Sequence, residues 1–424
     1  MKDIENTKKE APLKESPFLG LTGMGGGVAS LMFAGVSGPT DFTMWVAGRN
    51  LYGNLGQNYD SAGISSPTQV GTTSDWIMFQ GGHFDWSMGI RGVSGSADDT
   101  NGTLWAMGGQ SSWGELGQNN RASYSSPTQI GTESTWKTLS TGECPIVTKT
   151  DGTLWMWGHN ARGALGDNSD VPRSSPIQVG AATDWDGDIE SKFSWSSTTL
   201  AIKSTGQLWA WGDNGYGKFG NNYMNWSEYK FSSPIQIGTS TNWKAVTGGS
   251  NTSIGLKTDG TLWYWGSNGN GVSGNNFVTG SSRSSPTQIG TETTWARVQM
   301  LSTAYAYGIA ATKTDGTFWV WGRNVVGSLG LNESGYAPYY SSPTQLGTDS
   351  NWHTTHWNGA YGSEGAVQAF KTDGTLWMWG ENTYGSLGIN DRTARSSPTQ
   401  VPGSWIWWDK GQMATGFIGK KEKE

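Results

Sequence analysis

One sequence unit recurs seven times along the chain, and this repetition limits the folds that the chain can adopt. The string TDGTLWMWGHNARGALG begins at Thr150, and close copies begin at Thr258, Thr314 and Thr372. The first tryptophans of the copies are about 55 residues apart, at Trp45, Trp105, Trp155, Trp209, Trp263, Trp319 and Trp377. A period of this length indicates that the 424 residues form one repetitive domain.

Each copy predicts a small antiparallel sheet. Asp-Gly between two apolar runs favours a hairpin with a type I′ turn, in which both central residues have positive φ. In the Leu-Trp-Met-Trp run at 154–157, alternate side chains point to opposite faces, and all are apolar. We therefore expect both faces of this strand to be buried. Ser-Ser-Pro then starts an edge strand, because proline cannot donate a hydrogen bond to a neighbouring strand.

The two ends of the chain complement each other. The first copy has no strands before Trp45, and the segment after Trp405 has no hairpin after it. That segment repeats the spacing that follows Trp243, with Ile418 in the place of Leu256. We predict an all-β fold, a seven-bladed β-propeller closed by pairing of the C-terminal strands with the first repeat.

The predicted propeller covers residues 37–419, with a flexible docking arm at 1–36 and a charged tail at 420–424. The arm contains an uncharged stretch of membrane-spanning length, but six glycines make a stable helix there unfavourable. We expect neither a signal peptide nor a transmembrane segment. Residues 30–34 (SLMFA) are a rival for the closing strand.

The pattern DG-x-LW-x-WG-x-N-x-x-G-x-LG resembles the repeat of the regulator of chromosome condensation family, over about residues 43–419. This resemblance implies a seven-bladed propeller and, as one possible activity, guanine-nucleotide exchange on a small GTPase. The tight form of the repeat is similar to copies in bacterial and phage proteins. The arm from Ser16 resembles the N-termini of virion-associated proteins of marine tailed phages.

Motifs for catalysis and for metal or cofactor binding are missing from the sequence. It contains no phosphate-binding G-x-x-x-x-G-K-[ST] loop, no H-E-x-x-H and no paired C-x-x-C. The acidic run at 184–190 fails as a calcium loop because Ile189 and Trp195 would occupy its sixth and twelfth positions. His353 and His356 have no third histidine nearby. We predict no catalytic residue, no cofactor and no metal site, and we interpret the acidic run as a surface loop.

Charge and cysteine content exclude two further classes. A net charge of −6 argues against nucleic-acid binding through bulk positive charge. The single cysteine, Cys144, cannot form an intramolecular disulfide, which excludes a disulfide-stapled scaffold. Cys144 lies in an apolar stretch and is predicted to be a buried core thiol.

Two long insertions, 221–231 and 331–340, lie between Leu-Gly and Ser-Ser-Pro in the fourth and sixth copies. They place aromatic side chains outside the predicted strands, where binding residues collect on rigid scaffolds. The candidate binding residues are Tyr223, Trp226, Tyr229, Tyr336, Tyr339 and Tyr340. Packing of these loops against neighbouring blades is the alternative.

We therefore predict a non-enzymatic binding or assembly module, a structural protein of a bacteriophage virion on a tail, fibre or capsid. Residues 1–36 would join other virion proteins, and the aromatic loops would serve host attachment through a glycan or protein. No nucleic acid or membrane is expected as a partner. The alternative is a cytoplasmic scaffold or guanine-nucleotide exchange regulator of a small GTPase.

Nineteen of the 26 tryptophans fall in repeat positions and are predicted to pack between blades. A search for function should start from the other seven, Trp86, Trp113, Trp195, Trp226, Trp357, Trp407 and Trp408.

Overall fold

The computed structural model describes residues 42–82, 85–92, 101–109, 112–188, 190, 192–195, 197–224, 230–276, 282–302, 307–333, 339–359, 365–405, 411–412 and 416–422. These residues belong to one compact unit, Pro39–Glu424. Their secondary structure is β-strand, apart from short 3-10 turns at Ala161–Gly163, Gly215–Gly217 and Gly269–Gly271.

In chain order the strands are β1 Phe42–Asn50, β2 Ser61–Gln69, β3 Trp76–Gly81, β4 Trp86–Gly92, β5 Gly102–Gly108, β6 Tyr124–Ile130, β7 Trp136–Ser140, β8 Ile146–Lys149, β9 Leu154–Gly158, β10 Arg173–Gln178, β11 Lys192–Trp195, β12 Thr198–Ile202, β13 Leu208–Asp213, β14 Lys230–Gln236, β15 Trp243–Gly248, β16 Thr252–Lys257, β17 Leu262–Gly266, β18 Arg283–Ile289, β19 Trp295–Ser302, β20 Tyr307–Lys313, β21 Phe318–Arg323, β22 Tyr339–Gln345, β23 Trp352–Gly359, β24 Val367–Lys371, β25 Leu376–Gly380, β26 Arg395–Gln400, β27 Gly411–Gln412 and β28 Gly416–Glu422.

Four antiparallel strands, taken in chain order, form each repeating unit. Units I to VI consist of β3–β6, β7–β10, β11–β14, β15–β18, β19–β22 and β23–β26. The first strands of consecutive units contact each other. The backbone N–H of Thr141 donates to Gln80 Oε1 at 2.9 Å, and that of Met300 donates to Thr247 Oγ1 at 3.1 Å. The first strand and the Ser-Ser-Pro strand therefore lie at opposite edges of each unit's sheet, and the first strands of neighbouring units lie side by side.

Unit VII is built from both ends of the chain, as the sequence predicted. Strand β28 pairs antiparallel with β1, which pairs with β2, and β27 pairs with β3 of unit I. The pairing of β28 reaches Glu422, opposite Phe42, so residues 420–422 are part of a strand and not of a tail. The rival segment, residues 30–34, and the arm lie outside the described residues.

The register of this closing pair differs from the sequence prediction. Ile418 lies opposite Val46, which is the relation of Ile254 to Tyr264 in unit IV. Ile418 therefore takes the place of Ile254 and not of Leu256. A shift of two residues keeps the same side chains on each face of the strand, and the sequence spacing alone could not detect it.

The Asp-Gly turns are not of type I′. In the turn after β8, Gly152 has a φ of 76° but Asp151 is not in the positive-φ region. Instead Asp151 Oδ1 accepts hydrogen bonds from the N–H and the hydroxyl of Thr153, at 3.0 and 2.6 Å. Trp155 Nε1 donates to the same hydroxyl at 2.8 Å. The aspartate side chain thus closes the turn and orients the first tryptophan.

The Ser-Ser-Pro strands lie at sheet edges, as predicted, and contain a bulge. In unit I, Ala106 lies opposite Thr128 and Gly108 lies opposite Tyr124. Residues 125–127 therefore bulge out opposite a single residue, which removes the need for a hydrogen-bond donor at the proline.

The bulge also joins neighbouring units. An asparagine with positive φ donates its backbone N–H to the first serine of the next unit's bulge at 2.6–3.0 Å. This contact occurs at seven junctions, including that between units VI and VII. The pairs are Asn58–Ser125, Asn119–Ser174, Asn168–Ser232, Asn222–Ser284, Asn276–Ser341, Asn332–Ser396 and Asn390–Ser65.

Tryptophans fill the space between units, as predicted. Trp265 is fully buried, and its Nε1 donates to the carbonyl oxygen of Lys218 in the preceding unit at 2.7 Å. The tryptophans at the equivalent positions of the other copies make the same bond, for example Trp211 to Ala164. Trp86 and Trp357, which do not fit the repeat, are also buried core residues.

Candidate functional site

The predicted aromatic loops are described only in part. Trp226, Tyr229 and Tyr336 lie outside the described residues. Tyr223 lies in a loop and is 37% exposed. Its role in binding stays a prediction.

Tyr339 and Tyr340 lie in strand β22, which corrects their predicted position outside the strands. Tyr340 packs against the apolar clusters on both sides of its unit. Its hydroxyl donates to Glu333 Oε2 at 2.7 Å, and partial burial together with this carboxylate raises the pKa of Tyr340 to about 12. Strand β22 starts at Tyr339, before Ser-Ser-Pro, and so includes Tyr340. Tyr340 therefore packs against neighbouring units, which was the alternative to a role in binding.

Cys144 is a free, buried thiol, as predicted, and burial raises its pKa well above the usual value. Its Sγ donates to the carbonyl oxygen of His159 at 2.9 Å. Within the described residues, no group of three histidine, cysteine or acidic side chains could hold a metal ion. The same part of the chain contains no helix long and apolar enough to cross a membrane.

A cation lies between two tryptophan rings in each of units I to VI. In unit V, Lys313 Nζ is 3.8 Å from the ring centroid of Trp319 and 4.9 Å from that of Trp295, and it pairs with Glu292 at 2.7 Å. We call such a group a tryptophan clamp. The clamp cations are Arg91, Lys149, Lys203, Lys257, Lys313 and Lys371.

Two grooves of about 460 and 400 Å³ lie beside the clamps of Lys149 and Lys371 and have equivalent linings. The clamps and grooves recur at equivalent positions of the repeat, so we attribute them to the packing of the units. We therefore look for a functional site where a unit differs from the repeat.

One such departure lies where units I, II and III meet. Trp113, in a loop of unit I, packs against His159 of unit II with ring centroids 4.9 Å apart and ring planes tilted by 45°. His159 Nδ1 lies 2.8 Å from Glu143 Oε1, and Glu143 Oε2 accepts the backbone N–H of Ser197 in unit III at 2.6 Å. Trp113 is 40% exposed, so the cluster has an aromatic surface open to solvent.

The ionisable groups of this cluster are His159, Glu143 and Glu115. The hydrogen bond that the Glu143 carboxylate accepts from His159 raises the pKa of His159, against the effect of burial, and the charges of Glu143 and Glu115 add to the rise. Glu115 is buried and accepts the backbone N–H of Trp113 at 3.1 Å. The arrangement offers an imidazole with a raised pKa, the Glu143 carboxylate and an indole ring, which suits recognition of a polar protein surface.

Sequence reasoning noted Trp113 as an extra tryptophan but missed its partners. His159 follows Trp-Gly, a position that holds Arg49, Asp213, Ser267, Arg323 and Glu381 in other copies. Variation at a fixed repeat position was the available signal. The contact with Glu143 could not be read from it, because it depends on how the connection between β7 and β8 folds.

The chain matches known repeat models and relatives. Two models described as the regulator of chromosome condensation repeat match residues 373–405 and residues 196–218 and 243–272. The ultraviolet-B receptor UVR8 of Arabidopsis thaliana is 26% identical over 207 residues, which is 48% of this chain and 44% of the receptor. The match thus spans less than half of that relative's length.

Two solved structures share the fold over most of the chain. Human WBSCR16 is 16% identical with a TM-score of 0.71, over 90% of this chain and 99% of that one. Prp20p from Saccharomyces cerevisiae, described with its binding properties to Gsp1p and histones, is 16% identical with a TM-score of 0.71. That likeness covers 91% of this chain and 92% of Prp20p. At these identities the likeness is one of fold.

Proposed function

We propose that this chain, whose repeats are of the regulator of chromosome condensation type, is a non-enzymatic, seven-bladed propeller that binds a protein partner. Ring closure is supported by the pairing of β28 with β1 and by the seven equivalent asparagine–serine junctions. A closed ring gives the loops at its faces fixed positions, which favours recognition.

The observation that carries the proposal is the cluster of Trp113, His159 and Glu143, which we call the loop-face site. It brings together residues from successive units at a place where the repeat pattern is broken. An exposed tryptophan beside a partly buried polar pair is typical of an energetic centre in a protein interface. We propose that the partner contacts this site.

A small GTPase is the partner class with the most support, and nucleotide exchange on it is the activity to test. The support is the fold shared with Prp20p and the family resemblance of the repeats. The virion setting has no support among the relatives named above. Residues 1–36, on which it depended, lie outside the described residues. It stays a prediction, which peptide mass spectrometry of purified phage particles tests.

The test measures release of a fluorescent guanine nucleotide from a panel of small GTPases, together with direct binding. We expect Trp113→Ala to weaken binding and exchange at least tenfold. Tyr52→Ala is the matched control, because Tyr52 holds the same repeat position and is 37% exposed. It should change neither quantity more than twofold. Binding without exchange would show that the protein binds the GTPase but does not regulate its nucleotide. Equal losses in the Trp113→Ala and Tyr52→Ala variants would contradict the role of the loop-face site.

A further inference from the structure

An inserted acidic segment precedes the first strand of unit III. In five units a tryptophan opens the first strand directly, at Trp76, Trp136, Trp243, Trp295 and Trp352. In unit III, Trp185 forms only an isolated bridge with Lys203, and the first strand starts at Lys192. The residues between them are inserted. We call the described ones the acidic strap, which consists of Asp186, Gly187, Asp188 and Glu190.

The strap contacts two other units. Glu190 Oε1 lies 2.7 Å from Arg297 Nε on the first strand of unit V, which does not adjoin unit III. A Cβ atom at Gly187 would lie 2.9 Å from Lys137 Nζ of unit II, so the strap backbone passes beside that ammonium group. Among the ion pairs of the described residues, Glu190–Arg297 is the one that joins non-adjacent units.

The base of the strap is fixed by a buried lysine. Lys192 Nζ donates to the carbonyl oxygens of Asp186 and Asp188, at 3.0 and 2.5 Å. Burial lowers the pKa of Lys192 to about 8, while the carboxylates of Asp188 and Asp186 oppose this fall and the charge of Lys137 adds to it. The charge of Lys137 thus acts on Lys192, the residue that binds the strap backbone.

Arg297 is arranged to receive a carboxylate. Its side chain is 5% exposed, and its guanidinium carbon lies 5.3 Å from the ring centroid of Trp357 in unit VI. The ring and the strap carboxylate therefore fix the guanidinium. In the intervening unit IV, the exposed Lys244 donates from Nζ to the carbonyl oxygen of Ala296, next to Arg297, at 3.1 Å. Lys137 and Arg297 lie beside the strap, and Lys244 is bonded next to Arg297; we call these three cations the basic site.

We propose that the acidic strap is a built-in occupant of this basic site, and that the site binds an acidic peptide segment of a partner protein when the strap leaves. The strap shows the chemistry of such a ligand, since it places a carboxylate on Arg297 and passes its backbone beside Lys137. A short acidic peptide matches three cations, whereas the chain's net charge of −6 would repel a long polyanion such as a nucleic acid. The proposal does not depend on the loop-face site.

The test uses fluorescein-labelled hexaglutamate and fluorescence anisotropy on the full chain at low salt, where charge pairing is strongest. We expect Asp188→Asn/Glu190→Gln to bind the peptide at least tenfold more tightly than the wild type. Adding Arg297→Gln should abolish this gain. The matched control is Asp60→Asn/Asp170→Asn, which removes two exposed acidic charges elsewhere and should change binding less than twofold.

Equal affinities for the strap variant and the control variant would overturn the proposal. So would a gain that persists after Arg297→Gln. If Arg297→Gln does not fold, Lys137→Gln/Lys244→Gln in the strap variant makes the same comparison, because both lysines are exposed. Tighter binding of a labelled single-stranded oligonucleotide than of hexaglutamate by the strap variant would show that the partner class is wrong.

Discussion

Units II and IV have the same strand pattern but use the position after Trp-Gly differently. In unit IV, Ser267 Oγ accepts the N–H of Gly269 at 3.2 Å, which stabilises its own loop. In unit II, His159 forms a hydrogen bond with Glu143 and packs against Trp113 of the preceding unit. A repeat thus supplies a rigid frame, and a change at one variable position converts a local contact into a surface shared by several units.

The largest expected effect concerns the buried tryptophans of the frame. Trp265→Ala removes a fully buried indole and its 2.7 Å hydrogen bond to Lys218. We expect the free energy of unfolding to fall by about 3–5 kcal/mol in urea denaturation. Trp113→Ala, at the loop-face site, should cost less than about 1 kcal/mol because the side chain is half exposed. Equal losses would mean that Trp113 belongs to the frame.

The next effect concerns the junctions between units. Asn390→Ala keeps the backbone N–H that binds Ser65 but removes the amide oxygen that accepts from Ser66 Oγ across the junction of units VI and VII, and it places alanine at a φ of 64°. A loss of about 1–2 kcal/mol is expected from the left-handed backbone alone. Asn222→Ala, at an internal junction, should cost the same if the ring is closed. A cost at Asn222 and none at Asn390, measured by urea denaturation, would indicate an open ring.

A smaller effect is expected at the tryptophan clamps. Lys313→Met keeps an apolar stem between Trp295 and Trp319 but loses the cation and its pair with Glu292. The loss should be about 1 kcal/mol and should shrink in high salt. Lys257→Met should cost less, since Lys257 has no ion pair among the described residues and burial lowers its pKa. A larger loss at Lys257 would contradict a role of the ion pair.

The smallest effect is a pH dependence at the loop-face site. The hydrogen bond that His159 donates to Glu143 raises the pKa of His159 above its usual 6.5. Its contribution to stability is therefore complete below pH 6.5 and is lost as the pH rises through the raised value. The stability difference between the wild type and His159→Gln should fall over that window in urea denaturation. A difference that stays constant with pH would show that His159 is not charged there.

The repeat made the strands, their edges and the packing of the tryptophans predictable, because each depends on a local pattern. The Leu-Trp-Met-Trp run and the Ser-Ser-Pro edge needed only alternation and the missing N–H of proline. The predicted type I′ turn was wrong, because the turn is closed by the Asp151 side chain, which accepts a hydrogen bond from Thr153, and not by positive φ at both central residues. The predicted register of Ile418 was wrong, because a shift of two residues leaves every side chain on the same face of the strand and so does not alter the sequence pattern.

The sequence by itself determined that this protein is an all-β repeat protein whose first and last segments share one unit. A repeat can be recognised from the order of residues alone, and the strands missing before the first copy have their counterparts in the last segment. Only the tertiary structure decided that Trp113, His159 and Glu143 meet, and that Glu190 reaches Arg297 two units away. Such contacts depend on the path of loops and on distances between units, which no local pattern specifies.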